Sequence, residues 1–442
     1  MTRDNIYAEK LSRMIQCETI SVSGVRNQEK FTAFHSVLES LFPSVFRTME
    51  RMEFGDALLL KWKAENPKGE PVLLMSHQDV VEATGEWKHS PFSGDIAEGA
   101  VWGRGTVDTK GSLFCIFQAF EELIDEGYKP DVDLYIASGA DEETDKTGAK
   151  ATAEYLKANG IHLQMLMDEG GMIIEEPMKG AEGRFAMIGC LEKGTGNYRF
   201  VAHDKGGHSS APGKNTALPR LGAFMAEIEK KNPFTAKMND TTKEMFKRLG
   251  PHIKGPLGFV MKHAGFFSPL LEKAIPMVNH TAGAMIRTTL AFTMAKGSDG
   301  MNVLPEKAYV IGNLRFIHHQ GPEESRRILE KIAAKHGVEI EVITEHEGYP
   351  VVDFRKAPYR LVEETVKEIY PDAIPTPYAM TGNTDAAEYS IVTENAIRFA
   401  PLYINQQQYK SIHASNENIS VDALPKGVDF YKSILKKIKG TI

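Results

Sequence analysis

The sequence predicts an α/β protein, a mixed sheet with helices on both faces, interrupted by an inserted α+β domain of ferredoxin-like, split βαβ order. Three observations lead there. Apolar runs too short for helices, such as Pro71-Val72-Leu73-Leu74-Met75, stop abruptly at polar residues, as strands buried on both faces do. Segments with apolar residues at helical spacing lie between these runs, for example Leu113, Phe114, Phe117 and Phe120, with Gly127 closing the segment. After Gly194 the texture becomes strand, helix, two strands, helix and strand, and beyond Gly348 the chain returns to segments that need the first part for cover.

Taken in order, amphipathic helices are expected at 5–16 and 28–41, ahead of a strand at 58–61. A β-α-β-α-β run follows: strand 71–75, helix 110–126, strand 131–138, helix 148–159 and strand 165–167, with one more strand at 184–191. In the inserted part, strands are expected at 198–202, 288–294, 308–316 and 338–344, and helices at 216–230 and 322–336. The stretch 233–279, rich in Lys, Phe, Pro and Gly, reads as an insertion within it. A helix at 358–369, a turn at 381–385, a strand at 396–399 and a helix at 421–437 complete the chain. Residues 1–193 and 349–442 therefore form one domain, into which 194–348 is inserted as a lid or dimerisation domain.

Composition narrows the function. A chain of 442 residues exceeds what one core usually supports, and 42% hydrophobic residues are ample for two. The net charge of -7 and the absence of Lys/Arg runs argue against a nucleic-acid surface. Cys17, Cys115 and Cys190 are scattered, which is no disulfide framework and suits a reducing compartment. The first sixteen residues mix charges with Leu11, Met14 and Ile15, unlike a signal peptide or membrane span. A cytoplasmic protein without membrane or nucleic-acid partners is expected.

The chemistry gathers at strand ends. His77 and Asp79 follow the first core strand, the acids Asp141 to Asp145 the second, and Asp168-Glu169 the third, while Asp108 lies at a loop-to-helix junction. Ligands of open α/β sheets collect beyond the carboxyl ends of the strands, so these side chains are placed to converge. Imidazole with carboxylate suits zinc, and also manganese or cobalt, where a thiolate site would use cysteine. Glu142 and Glu143 point apart as successive residues, which lets one bind metal while the other faces substrate. Asp141 and Asp145 read as loop acids. Gly103-Arg104-Gly105 lacks the third glycine of a dinucleotide fingerprint, because Asp108 stands there.

The strings His77-Gln78-Asp79-Val80-Val81, Trp87, Pro91-Phe92-Ser93-Gly94 and Gly103 to Gly111 resemble the dinuclear zinc exopeptidases that include aminoacylase, acetylornithine deacetylase and succinyl-diaminopimelate desuccinylase, and within them carboxypeptidase S and its N-acyl amino acid hydrolase relatives. The resemblance covers nearly the whole chain. It implies a zinc-exopeptidase-like sheet and makes His77, Asp108, Glu143, Asp168 and His413 the ligands of two divalent metals, with Asp108 bridging. Asp79 would orient His77, and Glu142 would be the catalytic base. Gly206-Gly207-His208-Ser209-Ser210 is similar to the lid motif whose histidine reaches the substrate carbonyl, across the subunit boundary in dimeric members. Asn302-Val303-Leu304-Pro305, Arg315 and Gly382-Asn383 are similar to positions that hold the substrate. Where such relatives carry Thr-Asp-x-Arg, this chain has Thr384-Asp385-Ala386-Ala387, so an arginine is missing.

The implied activity is metal-dependent cleavage of an amide next to a free carboxylate, as in dipeptide or C-terminal residue release, by a homodimer acting on small molecules. The alternative is an N-acyl amino acid deacylase or desuccinylase using the same site. Two ions about 3.5–4 Å apart can share one water, lower its pKa toward ~7 and polarise the carbonyl. A non-catalytic scaffold is disfavoured, because no structural metal site needs Glu142.

Overall fold

The computed structural model describes residues 2–25 and 27–442. Its largest sheet has ten strands and is mixed. At its centre Val72–Met75 lies parallel to Leu134–Ser138 on one side and to Met165–Asp168 on the other, and Ala396–Arg398 continues parallel to the latter. Four carboxyl ends therefore open on one edge of the sheet.

Alternation along these strands splits the core into two layers. Val72 and Leu74 join the cluster that holds Phe114, Phe117 and Phe120 of the helix Lys110–Asp125. Leu73 and Met75 face Ala149, Ala153 and Leu156 of the helix Thr147–Ala158. The helix Lys110–Asp125 is apolar almost all round and is buried accordingly, beneath Arg3–Ile15 and Ala423–Lys437.

The inserted domain has a four-stranded antiparallel sheet in the order Thr289–Lys296, Lys307–Phe316, Gly194–His203, Glu339–His346. The helices Ala217–Lys230 and Pro322–Lys335 cover it around Phe200, Phe224 and Leu329. This is the expected split βαβ order. Its two crossings to the large sheet run side by side, and a Cβ on Gly194 would stand 2.4 Å from the His346 carbonyl oxygen.

The stretch between those elements of the inserted domain folds as Asp240–Leu249, Pro256–Lys262, Ala264–Val278 and His280–Ala284. Met245, Leu249 and Leu271 share an apolar cluster with Phe185 and Met187, against which Ile374 and Tyr378 pack. These helices thus cover strands of the large sheet, although they are inserted in the sequence of the lid. One of those strands, Ala373–Ala379, is absent from the sequence expectation because it contains Pro375 and Pro377. Among the described residues it pairs only with Arg184–Leu191, so its proline-bearing side needs no ladder.

Candidate metal centre

The strand Val72–Met75 delivers His77 to the sheet edge, where it is 1% exposed. Its Nδ1 lies 3.0 Å from the Asp79 carbonyl oxygen and 3.4 Å from the Asp79 carboxylate, leaving Nε2 3.1 Å from Asp108 Oδ1. The other Asp108 oxygen is 3.1 Å from His413 Nε2, which lies 3.0 Å from Glu143 Oε1. Ligand atoms of His77, Asp108 and Glu143 all fall within 4.8 Å of one another. Asp108 therefore stands between two imidazoles.

Asp79 also holds the loop opposite. Its carboxylate accepts from the Glu142 and Glu143 amides, each at 3.1 Å, and from Ser21 Oγ at 2.6 Å. Burial opposes its charge, yet His77, Ser21 and the Glu143 amide together hold it below the usual carboxylate range. One acid thus fixes both His77 and the backbone that carries Glu142 and Glu143.

Glu417, whose role the sequence does not reveal, does the same for Asp108. It is fully buried and accepts from Arg104 at 2.7 Å and from the Gly105, Val107 and Asp108 amides at 3.0, 2.8 and 3.0 Å. Its loop also carries His413, which adopts the left-handed region at φ 58°. Such a conformation persists only where the surroundings enforce it.

Charge in this buried space is unbalanced. Burial pushes Glu142 up to about 7, although Lys146 beside it works the other way. Burial and the neighbouring Asp108 and Asp168 raise Glu169 well above its ordinary value. His413 is raised to about 10 by its bonds to Asp108 and Glu143. Imidazoles and several carboxylates sharing one pocket are a donor set that fits divalent cations.

Asp168 sits at the same sheet edge, but its oxygens accept from the Glu169 amide at 2.8 Å and the Ala386 amide at 2.9 Å. Glu169, the other acid at this strand end, also feels the charges of Asp108, Asp168, His77 and Glu142. Asp141 and Asp145 stay outside the group. Asp141 caps the helix Thr147–Ala158 through the Thr147 and Gly148 amides, and Asp145 accepts from Ser23 and Gly24.

Two lid motifs prove to be partners. Gly207 pairs with Leu304 and His208 with Val303, while the Ser209 amide donates to the Asn302 carbonyl at 3.0 Å. His208 is exposed and bonds to Ser210, and among the described residues no hydrogen bond joins it to the metal group. Arg315 does bridge the two domains. Its Nη1 donates to Asn383 Oδ1 at 2.7 Å, and the Asn383 carbonyl lies 3.4 Å from Lys146 Nζ, which pairs with Glu142. Gly382, beside Asn383, is exposed. Lys146 could have been noticed in the sequence only as a cation four residues after Glu142.

Fold and donor set together define a metal-dependent hydrolase of amide bonds. The family pattern described as Peptidase family M20/M25/M40 matches residues 73–437, and the chain belongs to that family. It is 31% identical over 436 residues to N-fatty-acyl-amino acid synthase/hydrolase PM20D1 of Homo sapiens, covering 97% of this chain and 87% of that protein. It is 29% identical over 440 residues to the probable carboxypeptidase S-like 2 of Dictyostelium discoideum, covering 97% and 84%. Among solved structures, the M20 family metallo-carboxypeptidase Sso-CP2 of Sulfolobus solfataricus shares the fold with a TM-score of 0.71, 18% identity and 99% coverage of both chains. No helix among the described residues is long and apolar enough to cross a membrane.

Proposed function

We propose that the enzyme cleaves an amide next to a free carboxylate, releasing an amino acid from a dipeptide or a peptide C-terminus. The observation that carries this reading is the chain of contacts from Arg315 through Asn383 and Lys146 to Glu142. It couples a lid guanidinium, whose planar fork matches a carboxylate, to the acid best placed to move a proton. Position 387 is an alanine, and Arg315 offers a cation for that carboxylate.

His77, Asp108, Glu143 and His413, with Asp168 or Glu169, would hold two divalent ions, zinc by ligand type and manganese or cobalt as alternatives. Such ions, when bound, acidify water and polarise a carbonyl. Glu142 takes the proton of the attacking water and passes it to the leaving amine. Lys146 keeps Glu142 oriented, Asp79 fixes the His77 tautomer, and His208 donates to the oxygen of the scissile carbonyl once the lid approaches.

The inserted domain, 194–348, is proposed as the closing element and the homodimer surface, which would let His208 serve a partner's site. Three free cysteines, two of them buried, support a cytoplasmic setting. The alternative reading as an N-acyl amino acid deacylase is favoured by the name of the human relative. A panel of dipeptides and N-acyl amino acids assayed with added zinc or manganese tests the proposal, alongside metal analysis of His77→Ala and His413→Ala. Full metal occupancy in both variants, or no amide hydrolysed, would sink it.

A further inference from the structure

The helix Ala264–Val278 is apolar on two opposite faces. Ala264, Leu271 and Ile275, spaced along one side of it, are buried in the cluster that holds Phe185 and Met187 of the large sheet. Phe266, Leu270 and Met277 follow the opposite side in the same spacing and are exposed, Phe266 by 84% and Met277 by 82%. The preceding helix, Pro256–Lys262, extends this outer surface through the exposed Leu257 and Phe259. Phe259 meets Phe267 edge-on with ring centres 6.2 Å apart, and Phe267 meets Phe266 at 5.0 Å, so the rings of the two helices form one run. A helix that is apolar all round is ordinarily covered, and an exposed apolar patch of this kind marks a surface that meets something else.

The charges around the patch select what covers it. Between positions 254 and 281 the cations are Lys254, Lys262 and Lys273, and the sole acid is Glu272. Glu272 accepts from the Met238 amide at 2.8 Å, which commits it to the fold. Lys254 pairs with Glu182, whereas Lys262 and Lys273 are exposed and have no ion pair among the described residues. In a chain of net charge -7 this stretch is therefore locally positive. Lys273 stands on the apolar stripe itself, between Leu270 and Met277, where its long stem carries the ammonium past the apolar side chains. Phe and Leu on an outer face with lysines among them is the composition of a helix that lies in the plane of a bilayer surface. A second copy of the chain fits less well, because a two-fold contact would set these lysines against themselves without a free acid of the segment to meet them. The expectation of no membrane partner rests on the lack of a spanning segment, which a helix lying at the surface does not need.

We propose that the helices Pro256–Lys262 and Ala264–Val278 dock the protein on an anionic lipid bilayer, with Phe259, Phe266, Leu270 and Met277 entering the boundary between headgroups and acyl chains and Lys262 and Lys273 meeting the headgroup phosphates. Each apolar side chain that leaves water should strengthen binding about tenfold or more. Each lysine at the surface adds about fivefold, an attraction that salt screens. The proposal does not depend on which amide the metal centre cleaves.

The experiment is flotation of the purified full chain with vesicles of phosphatidylcholine alone and of phosphatidylcholine mixed with phosphatidylserine, alongside light scattering of the free protein. Wild type is compared with the double variants Phe266→Ser with Met277→Ser and Lys262→Glu with Lys273→Glu. All four positions are exposed, thermal melting checks that each variant folds, and the lysine pair serves if the serine pair does not. Wild type is expected to float with the phosphatidylserine vesicles, less with the neutral ones, and less as salt is added. Binding should fall about 10²-fold in the serine pair and about tenfold or more in the lysine pair. Wild type that does not float overturns the proposal, as does equal binding to neutral vesicles or binding that both variants leave unchanged. A wild-type oligomer that the serine pair dissociates, without flotation, assigns the patch to a second copy of the chain instead.

Discussion

Around Asp108 every neighbour is already in place: Glu417 holds its loop by three amides and a guanidinium, His77 and His413 flank its oxygens, and Asp79 fixes the loop across from it. Around His208 almost nothing is. It rides on a two-stranded ladder of two residue pairs, exposed, with a serine two positions away as its bonded neighbour. The first region is buried polar structure, which costs free energy unless fully satisfied and is therefore rigid once made. The second is a solvated loop that has little to lose by moving. A hydrolase needs both, one part preorganised for charge and one free to admit substrate and then close over it.

Substitutions can break this contrast or sharpen it. Glu142→Gln, within the rigid region, is expected to cut turnover roughly 10²–10⁴-fold while metal content by elemental analysis stays at the wild-type level. Retained turnover would show that another group moves the proton. His208→Ala should lower turnover about 10²–10³-fold, the cost typical of removing one donor to a developing oxyanion, again with metals unchanged. If the histidine serves a partner's site, mixing the Glu142→Gln and His208→Ala proteins under subunit exchange restores part of the activity, because one hybrid site then has both residues. No recovery in proven hybrids places its action within its own chain.

Glu417→Gln tests the rigid side without touching a ligand. The loss of charge beneath the Asp108 loop should weaken metal affinity by about 10–100-fold in a competition titration, the usual effect of removing support behind a ligand. Unchanged affinity would mean that the loop holds its shape without Glu417.

A pH-dependent effect is expected where the inserted domain joins the rest of the chain. Lys193 is buried with Arg315 and Arg287 nearby, and burial lowers it to about 7. Its ammonium donates to the Ala284 and Arg287 carbonyls and to Thr289 Oγ1. Between about 7 and the ordinary value of 10.5 the unfolded chain binds the extra proton, so stability from this group rises with pH across that window. Lys193→Met should flatten that part of the pH–stability curve measured by denaturant titration. An unaltered slope would mean that the ammonium is not desolvated.

How far the sequence shows all this depends on how local each signal is. Gln28–Leu41 and Arg184–Leu191 are legible to the residue, because an apolar period or an unbroken apolar run is written within the element itself. The convergence of His77, Asp108 and the acids at 142–143 is legible too, since parallel strands must present their carboxyl ends on one edge. Ala373–Ala379 is hidden by Pro375 and Pro377, which are harmless on an edge but read as breakers. Ala264–Val278 is hidden likewise by Pro269 and Pro276 within the helix. Glu417 is invisible for another reason: it acts on Asp108, which only tertiary structure brings near across 309 positions. Lys146 stands four positions from Glu142, but its contact to Asn383 spans 237.

The long span bridged by Glu417 also dictates when, during synthesis, the site can exist. A nascent chain can pair Val72–Met75 with Leu134–Ser138 early, but the Asp108 loop has no counter-carboxylate until residue 417 has left the ribosome. Closing a loop of that length is entropically slow, so the centre is among the last features to form. Ions that bind only the finished arrangement then draw the population toward it by mass action. Metal retention is therefore a measure of completed folding.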